Sequence, residues 1–393
     1  MKKQWEKLLE WESLIIALFS LILLIFQHNL LNLLYIALLL VSVLFMYKRY
    51  KRLSHTFNII VLPYIFFYVY SDCFNLLLKS LNGLETILYI IYFLGMLALL
   101  IPVTIHDYGT IKHPIWQLLA SIWIIVNLFL APVIKIDHGQ FIMGLNRSEL
   151  LLALVFLEYT YFVVKGWGYR FTFNLKVKAH VFYYLLLLVL LAVTVWISFF
   201  NTFILSATDW GQALWRWDFS LIKPTDSATM KNIWQLLFST LDAGIMEESA
   251  RYIFLLTLLV MFAKRKGQAA YSILLSSAIF SLLHIFNFST PGTTVNVVLF
   301  QVLHAFGFGC LLGTILLYSG KLWLTILLHA FADFLTLSLT PLGYGGSLLD
   351  NPHTGVIALI IVTFVPLIFT VFVLLNNNAK KQIYKNINLL IEF

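Results

Sequence analysis

The sequence predicts an all-α fold, a polytopic transmembrane helical bundle of about twelve spans, with bounds of ten to twelve. Three observations predict it. Only 11% of the 393 residues are charged and 61% are hydrophobic, where a soluble domain carries about 25% charged residues. Mean hydropathy is +0.90, so the apolar excess runs along the whole chain. The apolar residues fall in runs approaching the ~20 residues that a helix needs to cross a bilayer. A water-soluble fold of this size would need a far more polar exterior.

Leu14–Phe26 follows the stretch MKKQWEKLLEWE, has no small-residue cleavage site behind it, and reads as a retained first helix rather than a removed signal. Leu30–Met46, Phe57–Leu78, Ile87–Ile105 and Ile115–Ile134 come next. Leu150–Val164 is the sixth and, like the first, is short enough to be interfacial. His180–Leu205 closes a group of seven ordinary spans. The longest polar connection, Ser206–Lys231, follows. Beyond it lie Ile233–Ala263, Ala270–Phe288, Val295–Leu317, Leu322–Leu339 and Val356–Leu375. This connection sets the expected domain boundary: residues 1–230 as an N-terminal membrane region, and 231–393 as the region that holds nearly all the unusual residues.

Charge gives an orientation. The net charge is +8 and the basic residues sit in short clusters between apolar runs. With the N-terminus in the cytoplasm, alternation places Lys48–Arg52, the Lys165–Lys178 loop with Arg170 and Lys176, Lys264–Arg265–Lys266, and the tail with Lys380, Lys381 and Lys385 on that same side. The loops around Asp137 and Leu342–His353 are poorer in cations. Ser206–Lys231 is the exception, with three basic residues against Asp209, Asp218 and Asp226. Both termini are therefore expected inside. The basic balance is explained by the membrane, and no nucleic-acid partner is expected. Cys73 and Cys310 lie in apolar stretches and read as packing residues without a disulfide framework.

A charged residue at mid-helix in a bilayer costs about 2.5–3.5 kcal/mol, so such residues are where function is sought first. In the first seven runs they are nearly absent, with Glu158 as the main exception. In the C-terminal group they gather at three places. The first is Asp242-Ala-Gly-Ile-Met-Glu247-Glu248-Ser-Ala-Arg251. Arg251 lies at i+4 from Glu247 and i+3 from Glu248 and can pair with either. Two adjacent carboxylates in low dielectric repel each other, an arrangement suited to a general base; the bland alternative is a self-neutralising ion pair. The second is Phe280-Ser-Leu-Leu-His284, where a lone His is more often a packing residue. The third is His329-Ala-Phe-Ala-Asp333, whose i, i+4 spacing puts both side chains on one helical face. There an acid can orient the imidazole, share a metal with it, or simply bond it. The three together on separate helices supply the parts of a hydrolytic site. The pair Gly309 and Gly313 reads as ordinary close helix packing.

In order and spacing, Glu247-Glu248, Phe280 with His284, and His329 with Asp333 resemble the CAAX-protease and bacteriocin-processing family of intramembrane proteases, also called the Abi family. They are similar to its Ras-converting CAAX endopeptidase group. That family carries Glu-Glu-x-x-x-Arg, then Phe-x-x-x-His, then His-x-x-x-Asn or Asp. The run Phe306–Asp333, with Gly309, Gly313, Gly320, Lys321, Leu322 and Trp323, also looks like the family's approach to its third motif. The resemblance covers roughly Leu236–Leu339, a quarter of the chain. Two positions depart from it. Arg251 comes one residue early, with Tyr252 in the usual Arg place, and the third motif ends in Asp333 rather than the commoner Asn.

The resemblance implies an intramembrane endopeptidase acting on a membrane-associated peptide or lipidated protein, multi-pass in a bacterial cell membrane. Glu247 would be the general base, activating water with His284. Glu248 and Arg251 would set its charge state. His329 and Asp333 would bind the oxyanion or share a metal. The expected cofactor is none, or zinc held by His284, His329 and Asp333, with metal-free chemistry preferred. Two other readings stay open. A proton-coupled transporter also uses intramembrane Glu, His and Asp, and His304 adds a titratable group nearby. A catalytically inactive immunity or scaffold protein would keep the same fold.

Overall fold

The computed structural model describes residues 2–48, 51–81, 83–132, 134–136, 139–173, 181–230, 232–289, 293–343, 346 and 348–391. Asp137, Lys176, Lys178, His180 and Lys231, named above for their loops and run ends, lie outside the described residues. Among the described residues there is no β-strand, only one isolated antiparallel bridge between Ile222 and Leu339.

Every expected apolar run falls on a helix. The N-terminal helices are α1 (Lys2–Gln27), α2 (Leu31–Tyr47), α3 (Lys51–Ser80), α4 (Glu85–Leu99), α5 (Ile101–His106), α6 (Pro114–Phe129), α7 (Gln140–Arg147) and α8 (Leu150–Gly166). They are followed by α9 (Val181–Phe203), the short α10 (Trp210–Leu214), α11 (Ile233–Met261), α12 (Gln268–Leu283), α13 (Val295–Ser319), α14 (Leu322–Leu337), α15 (Pro352–Leu375) and α16 (Asn377–Leu390). The chain is an integral, multi-pass helical membrane protein.

By length and composition seven helices qualify as membrane spans among the described residues, or eight if α7 and α8 form one bent span. This is fewer than the expected twelve runs, for physical reasons. Helices α2, α6 and α14 have only 16 or 17 residues, about 24–26 Å at 1.5 Å per residue. Helix α11 has 29 residues but carries Asp242, Glu247, Glu248 and Arg251. Two expectations change. The first run is not short, because α1 extends through its polar start to 26 residues. The sixth is joined to α7 across a 52° bend at Ser148–Glu149.

The chain forms two compact units, Met1–Tyr169 and Arg170–Phe393. The division falls at Tyr169 rather than at residue 230, where the long polar connection placed it. The reason is that α9 packs against α13, α14 and α15. The connection itself is also stitched to the α14–α15 loop. Lys223 N–H donates to Ser338 O at 2.9 Å, Ala228 N–H to Leu339 O at 2.8 Å and Thr340 N–H to Leu221 O at 2.9 Å. Gly346 and Leu348 donate to Leu205 and Ala207 in the same way.

In the second unit α11 lies along α14 and against α12, while α13 packs on α12 and α15. Local chemistry sets the ends. Asn232 caps α11 through the Trp234 N–H, and Thr294 caps α13 through the Val297 N–H. Gly320 ends α13 in the left-handed region at φ 68°. Helix α11 runs unbroken through Gly244, where a Cβ would lie 2.6 Å from Ile326 O of α14. Glycine therefore permits the close approach that brings the two charged helices together. The tail beyond α15 is helical too. Helix α16 buries Ala379, Ile383, Asn386, Ile387 and Leu390 on one face, and the Asn386 amide donates to Leu317 O and Tyr318 O at the end of α13. Cys73 and Cys310 are free and buried.

Candidate active site

Helix α11 presents the carboxylate pair on different sides of one turn. Adjacent residues point about 100° apart, so Glu248 faces the packed interior and Glu247 the cavity beside it. Glu248 is 1% exposed and Arg251 is fully buried, whereas the Glu247 side chain keeps 27% exposure. Glu248 forms an i, i+3 ion pair with Arg251. The Arg251 guanidinium also lies over the Phe280 ring, 4.6 Å from its centroid. Room for it comes from Gly309, whose added Cβ would sit 3.2 Å from Arg251 Nε.

The one-residue displacement of the arginine is thus accommodated without leaving the pair. Tyr252, which takes the alternative position, turns elsewhere. Its hydroxyl donates to Arg170 O at 2.7 Å and fixes the chain entering this unit.

His329 stands on α14, one turn before Asp333, and is 7% exposed. Its Nδ1 lies 2.8 Å from Glu248 Oε1. Its Nε2 lies 3.2 Å from Glu247 Oε2 and 3.7 Å from Asp333 Oδ2. One imidazole therefore joins the α11 pair to the α14 acid, and both ring nitrogens face carboxylates. A ring carrying both protons satisfies both sides at once. Phe308 of α13 packs edge-on against His329 with ring centres 5.9 Å apart, which helps fix the ring plane.

His284 closes α12 where the helix tightens into a 3₁₀ turn. Phe280, one turn earlier, meets its ring edge-to-face at 5.2 Å. Its Nδ1 is buried and has no hydrogen-bond partner among the described residues.

These groups line one cavity of about 160 Å³, room for several water molecules. Glu247, Arg251, His284, His329 and Asp333 all contribute to its wall. Glu248 sits behind it, holding His329. The three motifs read from separate helices are thus brought together. His304 also lines the cavity, stacked between Phe300 and Phe308 at 6.5 and 5.7 Å.

Four polar lining residues are not legible in the sequence: Ser198 and Asn201 of α9, Gln301 of α13 and Thr336 of α14. Neutral amides and hydroxyls carry no solvation signal of the kind that exposes a buried charge. Asn201 also lies on a run that reads as an ordinary span. Gln301 accepts from the Asn287 amide at 2.8 Å, tying α13 to the turn after His284.

His284, His329 and Asp333, the set expected to hold zinc if any is bound, do not bring three donor atoms within 4.8 Å of one another. Both nitrogens of His329 are engaged by carboxylates, and the Arg251 cation stands on the far side of Glu248.

Residues 229–335 match the family model described as Type II CAAX prenyl endopeptidase Rce1-like. No curated protein and no solved structure matches the chain. The matched stretch begins at the entry to α11 and ends just past Asp333, so it takes in all three motifs. The resemblance read from those motifs is matched over residues 229–335, about a quarter of the chain, and that stretch is similar to the Rce1-like family of CAAX-type intramembrane proteases.

Proposed function

We propose that the protein is an intramembrane endopeptidase that hydrolyses a peptide bond of a membrane-associated or lipidated substrate with a water activated by Glu247 and His284. The observation that carries this reading is the meeting of Glu247, His284, His329 and Asp333 on one cavity. Of the adjacent pair on α11, Glu247 and not Glu248 has access to that space, and it takes the proton from water. His284, whose Nδ1 is unpartnered among the described residues, holds the same water from α12. The hydroxide adds to the carbonyl carbon, and the tetrahedral oxyanion is stabilised by the Nε2–H of His329. The proton on Glu247 then passes to the leaving amine and the C–N bond breaks.

Glu248 does not touch water in this scheme. It accepts from His329 Nδ1 and so fixes which nitrogen faces the cavity, while Arg251 balances its charge. Asp333 cannot donate to an oxyanion when ionised. It stands 3.7 Å from His329 Nε2, at ion-pair rather than hydrogen-bond distance, and serves as a countercharge beside the ring until the oxyanion forms. The donor arrangement around His329 favours metal-free water activation. A lipidated substrate fits the similarity to a prenyl endopeptidase family.

The test is cleavage of prenylated and unprenylated peptides in proteoliposomes, comparing the wild type with Glu247→Gln. Gln keeps the shape of Glu and cannot accept the proton. The expected result is loss of turnover by at least ~100-fold, the usual share of a general base, with an unchanged melting curve. Full activity in Glu247→Gln would remove it as the base. Absence of cleavage by a folded wild type on every peptide class would favour an inactive scaffold.

A further inference from the structure

The first unit, Met1–Tyr169, carries its own polar cluster. His55 lies near the start of α3, His106 is the last residue of α5, and Asp107 follows it as the C-cap. Asp107 is fully buried and His106 nearly so, while His55 keeps 28% side-chain exposure. These are costly groups to bring together inside an apolar bundle, and the proposed hydrolysis makes no use of them.

The geometry of the three is specific. One donor atom from each residue lies within 4.8 Å of the others, and this is the only such His, Cys, Asp or Glu group among the described residues. Both imidazoles turn Nδ1 towards the same atom, Asp107 Oδ1. His106 Nδ1 stands 3.0 Å from it, and His55 Nδ1 is in contact with it. The rings lie nearly parallel, with centres 5.2 Å apart and planes 23° from each other.

The other carboxylate oxygen is already committed. Asp107 Oδ2 accepts from the Asn58 amide at 3.1 Å, and the Asn58 oxygen accepts from the Ser42 hydroxyl of α2 at 2.8 Å. That is the outer layer of hydrogen bonds that orients a ligating carboxylate.

A direct hydrogen-bond account leaves one atom over. His55 Nδ1 is close to Oδ1 but does not meet it with hydrogen-bond geometry, and it is buried with no other bond among the described residues. His106 Nδ1 does hydrogen-bond Asp107 Oδ1, whereas the His55 nitrogen crowds that oxygen without aiming at it, which leaves it free to aim at a third point. In a tetrahedral zinc site that point is the ion, with ligands at about 2.0–2.2 Å.

We infer that His55, His106 and Asp107 form a binding site for a divalent transition-metal ion of the zinc class, with two imidazole nitrogens and one carboxylate oxygen as ligands and water in the fourth position. Imidazole with carboxylate suits zinc better than calcium or magnesium, which prefer all-oxygen shells. The exposed edge of His55 gives the ion a way in. Once bound, it ties the start of α3 to the end of α5. This inference is independent of the proposed peptidase activity.

The experiment uses the full chain in nanodiscs, stripped with chelator and titrated with Zn²⁺ by calorimetry, with bound zinc counted by mass spectrometry. The wild type is expected to hold one zinc per chain. His55→Ala is expected to bind at least ~10-fold more weakly, since even outer-layer changes cost 10–100-fold, and His284→Ala is expected to bind as the wild type does. His55→Cys supplies a second measurement should His55→Ala fold poorly. Loaded with Co²⁺, it is expected to show a thiolate-to-cobalt charge-transfer band that the wild type lacks. A folded wild type that binds no zinc overturns the site. So does a His55→Cys protein without that band, or zinc that is lost in His284→Ala but kept in His55→Ala.

Discussion

Glu247 and Glu248 are neighbours in sequence and opposites in surroundings. Glu248 is sealed between Arg251 and His329, and Glu247 looks into the cavity. Substitutions should therefore separate stability from chemistry. Glu248→Gln strands the fully buried Arg251 beside a neutral amide, and breaking a buried pair from one side costs about 3–5 kcal/mol. A clear drop in melting temperature is expected, together with lost activity because His329 loses its orienting acceptor. The double change Glu248→Met with Arg251→Met removes both charges, so it should recover much of the melt and none of the turnover. If Glu248→Gln melts like the wild type, the ion pair contributes little and Glu248 is not the structural member.

The charged site residues are legible in the sequence because an apolar helix tolerates such residues only where something compensates them. Asn201 and Ser198 are not, since a neutral polar side chain raises no comparable alarm. His55, His106 and Asp107 escape for another reason. The apolar runs beside them end at Phe57 and Ile105, which leaves all three in apparent loops, and only the extended helices bring them together.

At the scale of elements, the apolar runs locate the helices well, because a bilayer-facing segment announces itself by length and composition. What they do not give is the quality of contact between helices. Gly309 and Gly313 stand out as a spaced small pair, and both do face α12, at Ser277 and Ile273. The closer approach is at Gly244, which the sequence shows only as an isolated glycine. A methyl group there would meet Ile326 O at 2.6 Å and the Ala330 Cβ at 3.1 Å, the residues on either side of His329 in the α14 helix. Gly244→Ala should force α11 and α14 apart and cost about 1–3 kcal/mol, the range for an overpacked contact. It should also lower turnover, because the 2.8 Å and 3.2 Å contacts of His329 span that same interface. A thermal melt and a cleavage rate measured on one preparation check both parts. An unchanged rate would show that the site tolerates the shift. Helix α16 is legible in principle, since its buried residues recur with helical spacing, but its polar face hides it among the basic tail.

At the scale of the molecule, the fold says which loops of the second unit share an end. The connection 204–230 and the stretch 338–348 are hydrogen-bonded to each other, so they lie on one side. At the other end, Asn386 of α16 binds the last carbonyls of α13 and Arg170 N–H donates to Leu390 O at 2.8 Å. Arg170, Lys321 and the lysines of α16 thus gather together, as the charge pattern expected of a cytoplasmic face. Glu248 lies 13 residues before Met261, where its unbroken helix ends just ahead of Lys264, about 20 Å along the axis. In a hydrocarbon core of ~30 Å that is beyond the middle. His284, at the far end of α12 from Lys266, agrees.

The cavity is therefore expected to open on the side of the paired loops, away from the cytoplasm or sideways into lipid. Cysteines placed at Thr225 and Asn351, in an otherwise Cys73→Ala, Cys310→Ala chain, test this in intact cells with a membrane-impermeant thiol reagent. Both should label, and a cysteine placed at Lys264 should not. Because the two loops are stitched together, labelling of one without the other contradicts the fold. Protection of both with labelling at residue 264 inverts the orientation and turns the cavity towards cytosolic substrates.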